Sequence, residues 1–376
     1  SGLSSNTAYQ VRVRAVNAIG DGAASTASTA VATLGAPVVA SAPSIAGTAF
    51  VGQTITATEP AGMFTGNATP TVSARAWYSC PSAKSAGESL TTCSAISGAT
   101  STTYTLVSAQ LGSYVVFAAT GENASGSAVA NSASTAIVAT VAAAPSITSV
   151  TLNGSGSVSV VVSAGASNNS AITGYAYELN ASGTWVATGS TATTFTISSL
   201  TNGTAYSLKV RAINGAGNSS ASSASNFTPL GAATGGSATS GSGVLNLSWS
   251  AVTGATGYSV SYSTSAGSGY SNATGACAST SSTSCALTGL TVSSAYYFKV
   301  TASNANGSAP ISAAFGPTTV LQTASISGTP TLSGSFAIGA TVTADETGLI
   351  IAGHATPTLT RVWYACGSAI DASTLT

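Results

Sequence analysis

SGLSSNTAYQVRVRAVNAIGDG, residues 1–22, is the stretch whose reading decides the fold. Tyr9, Val11, Val13 and Ala15 alternate with Gln10, Arg12, Arg14 and Val16. A period of two is that of a strand with one buried face. The stretch returns twice. Leu3, Tyr9, Val11, Val13, Ala15, Asn17 and Gly20 become Leu200, Tyr206, Leu208, Val210, Ala212, Asn214 and Gly217, and then Leu290, Tyr296, Phe298, Val300, Ala302, Asn304 and Gly307. The spacing is the same each time, so the stretch is a unit of an internal repeat. Lys209 and Arg211 take the outward phase that Arg12 and Arg14 hold in the first copy. The Asn and Gly that close each row predict a turn, because both tolerate positive φ.

A leucine six residues ahead of a tyrosine that opens such a strand resembles the tyrosine corner of Greek-key β-sandwiches. The whole pattern resembles the fibronectin type III family. Its fullest match is 231–318, where LNLSWSAVTGATGYSVSYS sets Trp249 and Tyr258 at that family's core aromatic positions. The segment 143–229 keeps Tyr175 but has Val162 at the tryptophan position. Residues 1–34 match only the last part of such a domain. Between them lies a second module. AWYSC at 76–80 recurs as VWYAC at 362–366, and NATPT at 67–71 recurs as HATPT at 354–358. With Cys93, a Gly-Ala-Thr turn and a final strand leading to Asn-x-x-Gly, this module resembles the bacterial immunoglobulin-like repeats of large surface proteins. It spans 36–140, and its first part returns at 322–376.

The expected fold is therefore all-β, a tandem array of Greek-key sandwiches with a super-repeat of about 287 residues. Leu3 to Leu290 and Asn67 to His354 are both shifts of 287, and Trp77 to Trp363 is 286. That single register predicts a window from a longer repetitive protein, opening and closing inside domains. Leu3, Tyr9, Trp77, Leu200, Tyr206, Trp249, Tyr258, Leu290, Tyr296 and Trp363 are the expected core residues. The resemblance and the register together imply that Cys80 pairs with Cys93, stapling an edge or loop, and that Cys366 pairs beyond residue 376. Cys277 and Cys285 flank a Ser/Thr-rich hairpin and form a second candidate pair. Disulfides belong to an oxidising, extracytoplasmic setting.

Composition narrows the function. Charged residues are 4% of 376, eight basic against eight acidic. There is no basic field for a nucleic acid or an anionic membrane. The 44% hydrophobic content, set in alternating runs, speaks for folded strands despite the abundant Ser, Thr and Asn. The longest apolar run, AIVATVAAA near residue 140, is too short to cross a bilayer. No catalytic, cofactor or metal residues are expected. The carboxylates are scattered, and the adjacent Asp345 and Glu346 point to opposite faces of a strand. The single histidine, His354, has Asn67 as its repeat equivalent, which cannot act as a base. Trp185 is read as packing and the glycines as turn residues. Eleven Asn-x-Ser/Thr sequons, Asn67, Asn123, Asn202 and Asn246 among them, permit glycosylation.

The leading expectation is a non-catalytic structural region, a stalk or fibre, of a large bacterial extracellular or cell-surface protein. Its partners would be copies of itself, meeting through neutral faces and sheet edges, or surface ligands reached through other domains. An adhesive or carbohydrate-binding module and the accessory part of an extracellular hydrolase are the alternatives.

Overall fold

The computed structural model describes residues 2–334, 340–353 and 357–363. Nearly all of its regular structure is strand, with two single-turn 3-10 helices, Ser108–Gln110 and Gly275–Cys277. The chain forms two compact units. One comprises Ser1–Thr148, Val161–Thr193 and Leu208–Ser225; the other comprises Ser149–Val160, Thr194–Ser207 and Asn226–Thr376. The division runs through the segment 143–228 and leaves the stretches near 140 and 230 inside units.

In the first unit, residues 38–140 build a sandwich. One sheet orders its strands Ser94–Ala95, Thr71–Cys80, Tyr114–Asn123 and Gly126–Asn131; the other orders Thr103–Thr105, Thr54–Thr58 and Ser44–Ala46. Ile55 and Ala57 from one sheet meet Trp77, Val115, Phe117 and Ala119 from the other. Alternation explains this: in Thr54–Thr58 only the two apolar residues are buried. Trp77 is fully buried and donates its indole N–H to Ser101 O at 2.8 Å. The Cys80–Cys93 disulfide closes the hairpin between the Thr71–Cys80 strand and its edge neighbour.

In the second unit, residues 237–320 build another sandwich. Ser237–Gly241, Val244–Ser248 and Ser284–Leu287 form one sheet. The other orders Ser271–Asn272, Gly257–Ser263, Ala295–Asn304 and Gly307–Ser308, with Phe315–Thr319 also paired to Ala295–Asn304. Leu245, Leu247, Trp249, Tyr258, Leu287, Phe298 and Val300 share the core. Cys277, itself buried in that core, is bonded to Cys285. Trp249 Nε1 has no hydrogen-bond partner, unlike that of Trp77.

The segment 143–228 has the same strand plan. Ser146–Leu152, Val158–Ser163 and Thr194–Ile197 make a three-stranded sheet. Val186–Ala187, Ile172–Leu179, Tyr206–Asn214 and Gly217–Asn218 follow one another in a second, to which Ser225–Phe227 adds. Tyr175 and Val162 are buried.

The tyrosine corner is present three times. The Tyr hydroxyl oxygen accepts the backbone N–H five residues upstream: Ser4 to Tyr9 at 2.8 Å, Thr201 to Tyr206 at 3.0 Å and Thr291 to Tyr296 at 3.2 Å. Leu290 packs against the core, and Leu200 is half-buried. Tyr9, Tyr206 and Leu290 are likewise half-buried, and two expected core residues are exposed. Leu3 and Trp363 are each 63% exposed. The reason is physical: among the described residues the strands near Leu3 pair only two by two with no second sheet over them, and Trp363 lies outside any strand. His354, Cys366 and the rest of the VWYAC repeat after Trp363 lie outside the described residues.

Candidate functional site

The closing asparagine of each repeat row is the residue to which the structure assigns a task. The sequence predicts a turn former at positive φ, and the backbone differs. Gly20, Gly217 and Gly307 hold the positive φ, while Asn17, Asn214 and Asn304 do not. The asparagine acts through its side chain. Asn214 Nδ2 donates to Thr140 O at 2.9 Å, Ser167 O at 3.2 Å and Ser170 O at 3.3 Å. Its Oδ1 accepts the N–H of Ala216 at 3.0 Å. One amide thus ties the hairpin turn, the neighbouring loop and the chain entering from residues 36–140. Asn304 repeats this, donating to Thr228 O and Gly254 O and accepting from Asn306 N. Asn123, at the matching turn of the other module, donates to Gly35 O and Ala68 O and accepts from Ser125 N. The staple therefore occurs in both kinds of module, at the links near residues 35, 140 and 228. Asn17 keeps only the local half, accepting from Ile19 N.

Further contacts reinforce each link. Asn67 N–H donates to Asn6 Oδ1 at 3.0 Å, and Asn6 Nδ2 donates to Ala36 O at 3.1 Å. Asn168 Nδ2 reaches Val141 O at 2.8 Å. Leu152 N–H donates to Asn306 O at 2.9 Å, and Asn306 Nδ2 reaches Val150 O at 3.2 Å. Gly203 shows how close the approach is. Its equivalents, Asn6 and Ser293, carry side chains at the same positive φ. At Gly203 a Cβ would come within 2.7 Å of Thr253 Cβ. Glycine stands there to let Thr253 in, since the turn itself accepts larger residues.

A second device was not foreseen. After the closing hairpins, hydroxyls stand in for strand carbonyls, spaced three residues apart in three of the four and single in the last. Ser219 and Ser222 Oγ accept the N–H of Ala212 and Val210 at 2.9 and 3.0 Å. Ser25 and Ser28 do the same for Val13 and Val11, Ser132 and Thr135 for Phe117 and Val115, and Ser312 for Val300. The same residues donate their own N–H back to that strand. A three-residue period is that of an extended chain that turns one N–H in three toward its neighbour, leaving the hydroxyl to supply the acceptor. The signal lay in the Ser-x-x-Ser spacing, which composition alone disguised as low complexity.

The electrostatics are local. Arg75 forms a two-pronged bond with Glu59 at 2.7 and 2.8 Å, which holds the guanidinium above its usual range. The Ser85 N–H and then Lys84 hold the Glu88 carboxyl below the ordinary range. Trp185 packs under the Arg211 guanidinium, 4.3 Å from ring centre to carbon. Among the described residues no three His, Cys, Asp or Glu side chains gather as a metal site. No helix there is long and apolar enough to cross a membrane. Asn67, Asn123 and Asn202 spend their side-chain amides on internal carbonyl or hydroxyl partners.

Comparison with known proteins agrees with the geometry. Residues 143–228 and 234–316 each match the model of the Fibronectin type III domain. A solved structure of the chicken CNTN1 FN1-FN3 domains is similar at 17% identity, covering 73% of this chain and 98% of that one, with a TM-score of 0.31. No curated protein matches the chain. The chain is thus an all-β array that carries two fibronectin type III domains, and with its two disulfides it has the marks of a secreted or extracellular protein.

Proposed function

We propose that this chain, with its two fibronectin type III domains, is a structural, non-catalytic region of a bacterial extracellular or cell-surface protein. It acts as part of a fibre, filament or stalk. One observation carries the reading: Asn214, 5% exposed, gives its amide to carbonyls of both the loop beside it and the incoming link. A link held this way resists bending and extension without a bound ion. Asn123 and Asn304 make the same investment at the neighbouring links. A binding role would place conspicuous side chains on loops, whereas here the loop asparagines are committed inward.

The partners in this reading are other copies of the protein. With so little charge there is almost no repulsion between copies, so neutral Ser/Thr/Ala faces and open sheet edges serve as contacts. Electron microscopy of native material is the test. Uniform fibres thicker than one sandwich, with an axial repeat of roughly 100 Å for three domains of roughly 30–40 Å each, are expected. Thin strands one sandwich wide would leave a stalk without assembly. Compact particles with no axial repeat would overturn the structural reading.

A further inference from the structure

An asparagine followed by glycine is a place where a polypeptide can attack itself. The glycine carries no Cβ, so its backbone nitrogen can swing close to the asparagine side-chain carbon. The chain has four such pairs, beginning at Asn153, Asn202, Asn214 and Asn306. Attack needs the nitrogen within roughly 3–3.5 Å of that carbon and in line with it, which a group held in hydrogen bonds reaches only by letting go.

Three of the pairs are held. Asn202 Nδ2 donates to Ser155 Oγ at 2.7 Å, its Oδ1 accepts the Gly156 N–H at 2.9 Å, and the Gly203 N–H donates to Pro229 O at 2.8 Å. Asn214 gives its amide to three carbonyls, and the Gly215 N–H donates to Ser170 Oγ at 3.1 Å. Asn306 Nδ2 donates to Val150 O at 3.2 Å, and Gly307 pairs with Asn304 across its hairpin. Asn153 differs. It lies exposed on the loop between Ser146–Leu152 and Val158–Ser163, and its backbone N–H donates to Ser157 O at 3.0 Å. Among the described residues nothing bonds its side-chain amide or the Gly154 N–H. Gly154 sits at φ +90°, and no atom beyond its chain neighbours comes within 4 Å of where a Cβ would stand. Exposure alone does not single out Asn153, because Asn202 is exposed too.

We infer that Asn153 is a self-modification site, where the folded chain converts asparagine to aspartate and isoaspartate. Hydroxide removes the Gly154 N–H proton, and the nitrogen adds to Asn153 Cγ. The bond from Cγ to Nδ2 breaks, Nδ2 takes up a proton and leaves as ammonia, and a succinimide ring remains. Water opens the ring at one of its two carbonyls. Opening at Cγ gives aspartate on the original backbone; opening at the main-chain carbonyl gives isoaspartate, with Gly154 now joined through Cγ. One water enters and one ammonia leaves, with no oxidant, cofactor or enzyme. Each event leaves a carboxylate on a chain whose charges otherwise cancel, so the mark records the age of the chain as a growing negative charge.

The test is to incubate the folded chain in mildly alkaline buffer, digest it, and follow the four Asn-Gly peptides by chromatography and mass spectrometry. Asn153 is expected to lose ammonia at least about 30-fold faster than Asn202 and Asn214, whose reaction waits on local opening. Isoaspartate is expected beside aspartate at position 153, as passage through the ring requires. In denaturant the four rates are expected to converge, since the hydrogen bonds that separate them are gone. Equal rates in the folded chain would overturn the inference. So would aspartate without isoaspartate, or a lead for Asn153 that persists undiminished in denaturant. None of these results bears on whether the protein forms fibres.

Discussion

Residues 2–34 and 290–321 carry the same sequence row, the same tyrosine corner and the same serine-to-strand bond, yet Val13 is exposed and its equivalent is core. In both, a tyrosine hydroxyl takes an N–H five residues upstream and a serine hydroxyl takes an N–H from the strand. Val13 is 69% exposed while its equivalent Val300 is fully buried. Local sequence therefore suffices for the corner and the hairpin. Burial comes from residues 231–289, far off in the chain. Covering one valine side chain is worth roughly 1.5–3 kcal/mol, so the packing of 290–321 on 231–289 outweighs what the corner and hairpin supply by themselves.

Paired substitutions test that contrast. Val300→Asp places an unpaired carboxylate among Leu245, Leu247 and Leu287 and is expected to cost more than about 4 kcal/mol, abolishing cooperative unfolding of 231–318. Val13→Asp is expected to stay within about 0.5 kcal/mol. Denaturant unfolding followed by Trp249 fluorescence for the first, and by circular dichroism for both, reads the difference. Equal losses would mean that the Val13 face is already covered.

The staples come next. Asn214→Ala removes the amide from three carbonyls, of which Ser167 O keeps the Ser170 N–H, and is expected to cost about 1–3 kcal/mol. Asn17→Ala removes one exposed turn bond and is expected to cost under about 0.5 kcal/mol. Faster exchange at Ala216 together with the residues around Thr140 would identify the first as a link effect; a change limited to Ala216 would reduce the staple to a turn. The smallest effect belongs to the hydroxyls. Ser312→Ala deprives the buried Val300 N–H of its acceptor, for about 1 kcal/mol. In Ser25→Ala the matching amide turns to water, with no measurable change in the melting temperature.

Much of this was legible in the sequence. The Leu–Tyr–Asn–Gly rows placed the corners, the two family resemblances placed Trp77, Trp249 and Tyr258 inside, and alternation placed Lys209 outside. The Cys80–Cys93 hairpin followed from the resemblance and register. What escaped depends on distant partners. Nothing within residues 1–22 reports whether a sheet covers Leu3, and Trp363 shares its motif with Trp77 but not its surroundings. An asparagine in a turn does not announce which carbonyls its amide will meet. Gly203 looked like any turn glycine, because Thr253 is fifty residues away. The serine spacing was visible and unread, since a hydroxyl acting as a strand acceptor leaves no hydrophobic period.

Those serines also settle how the last strand meets the outside. Ser219 Oγ, while accepting from Ala212, donates to the carbonyl of Ser220 at 2.7 Å, and Ser222, Ser312 and Thr135 turn to their next carbonyls likewise. Each step engages a carbonyl that an approaching strand would seek. Most proteins guard such a border with lysines or prolines; this one, nearly without charge, hems it. A hemmed border offers an approaching strand fewer free carbonyls, which in the assembly reading turns contact toward the faces and the opposite borders.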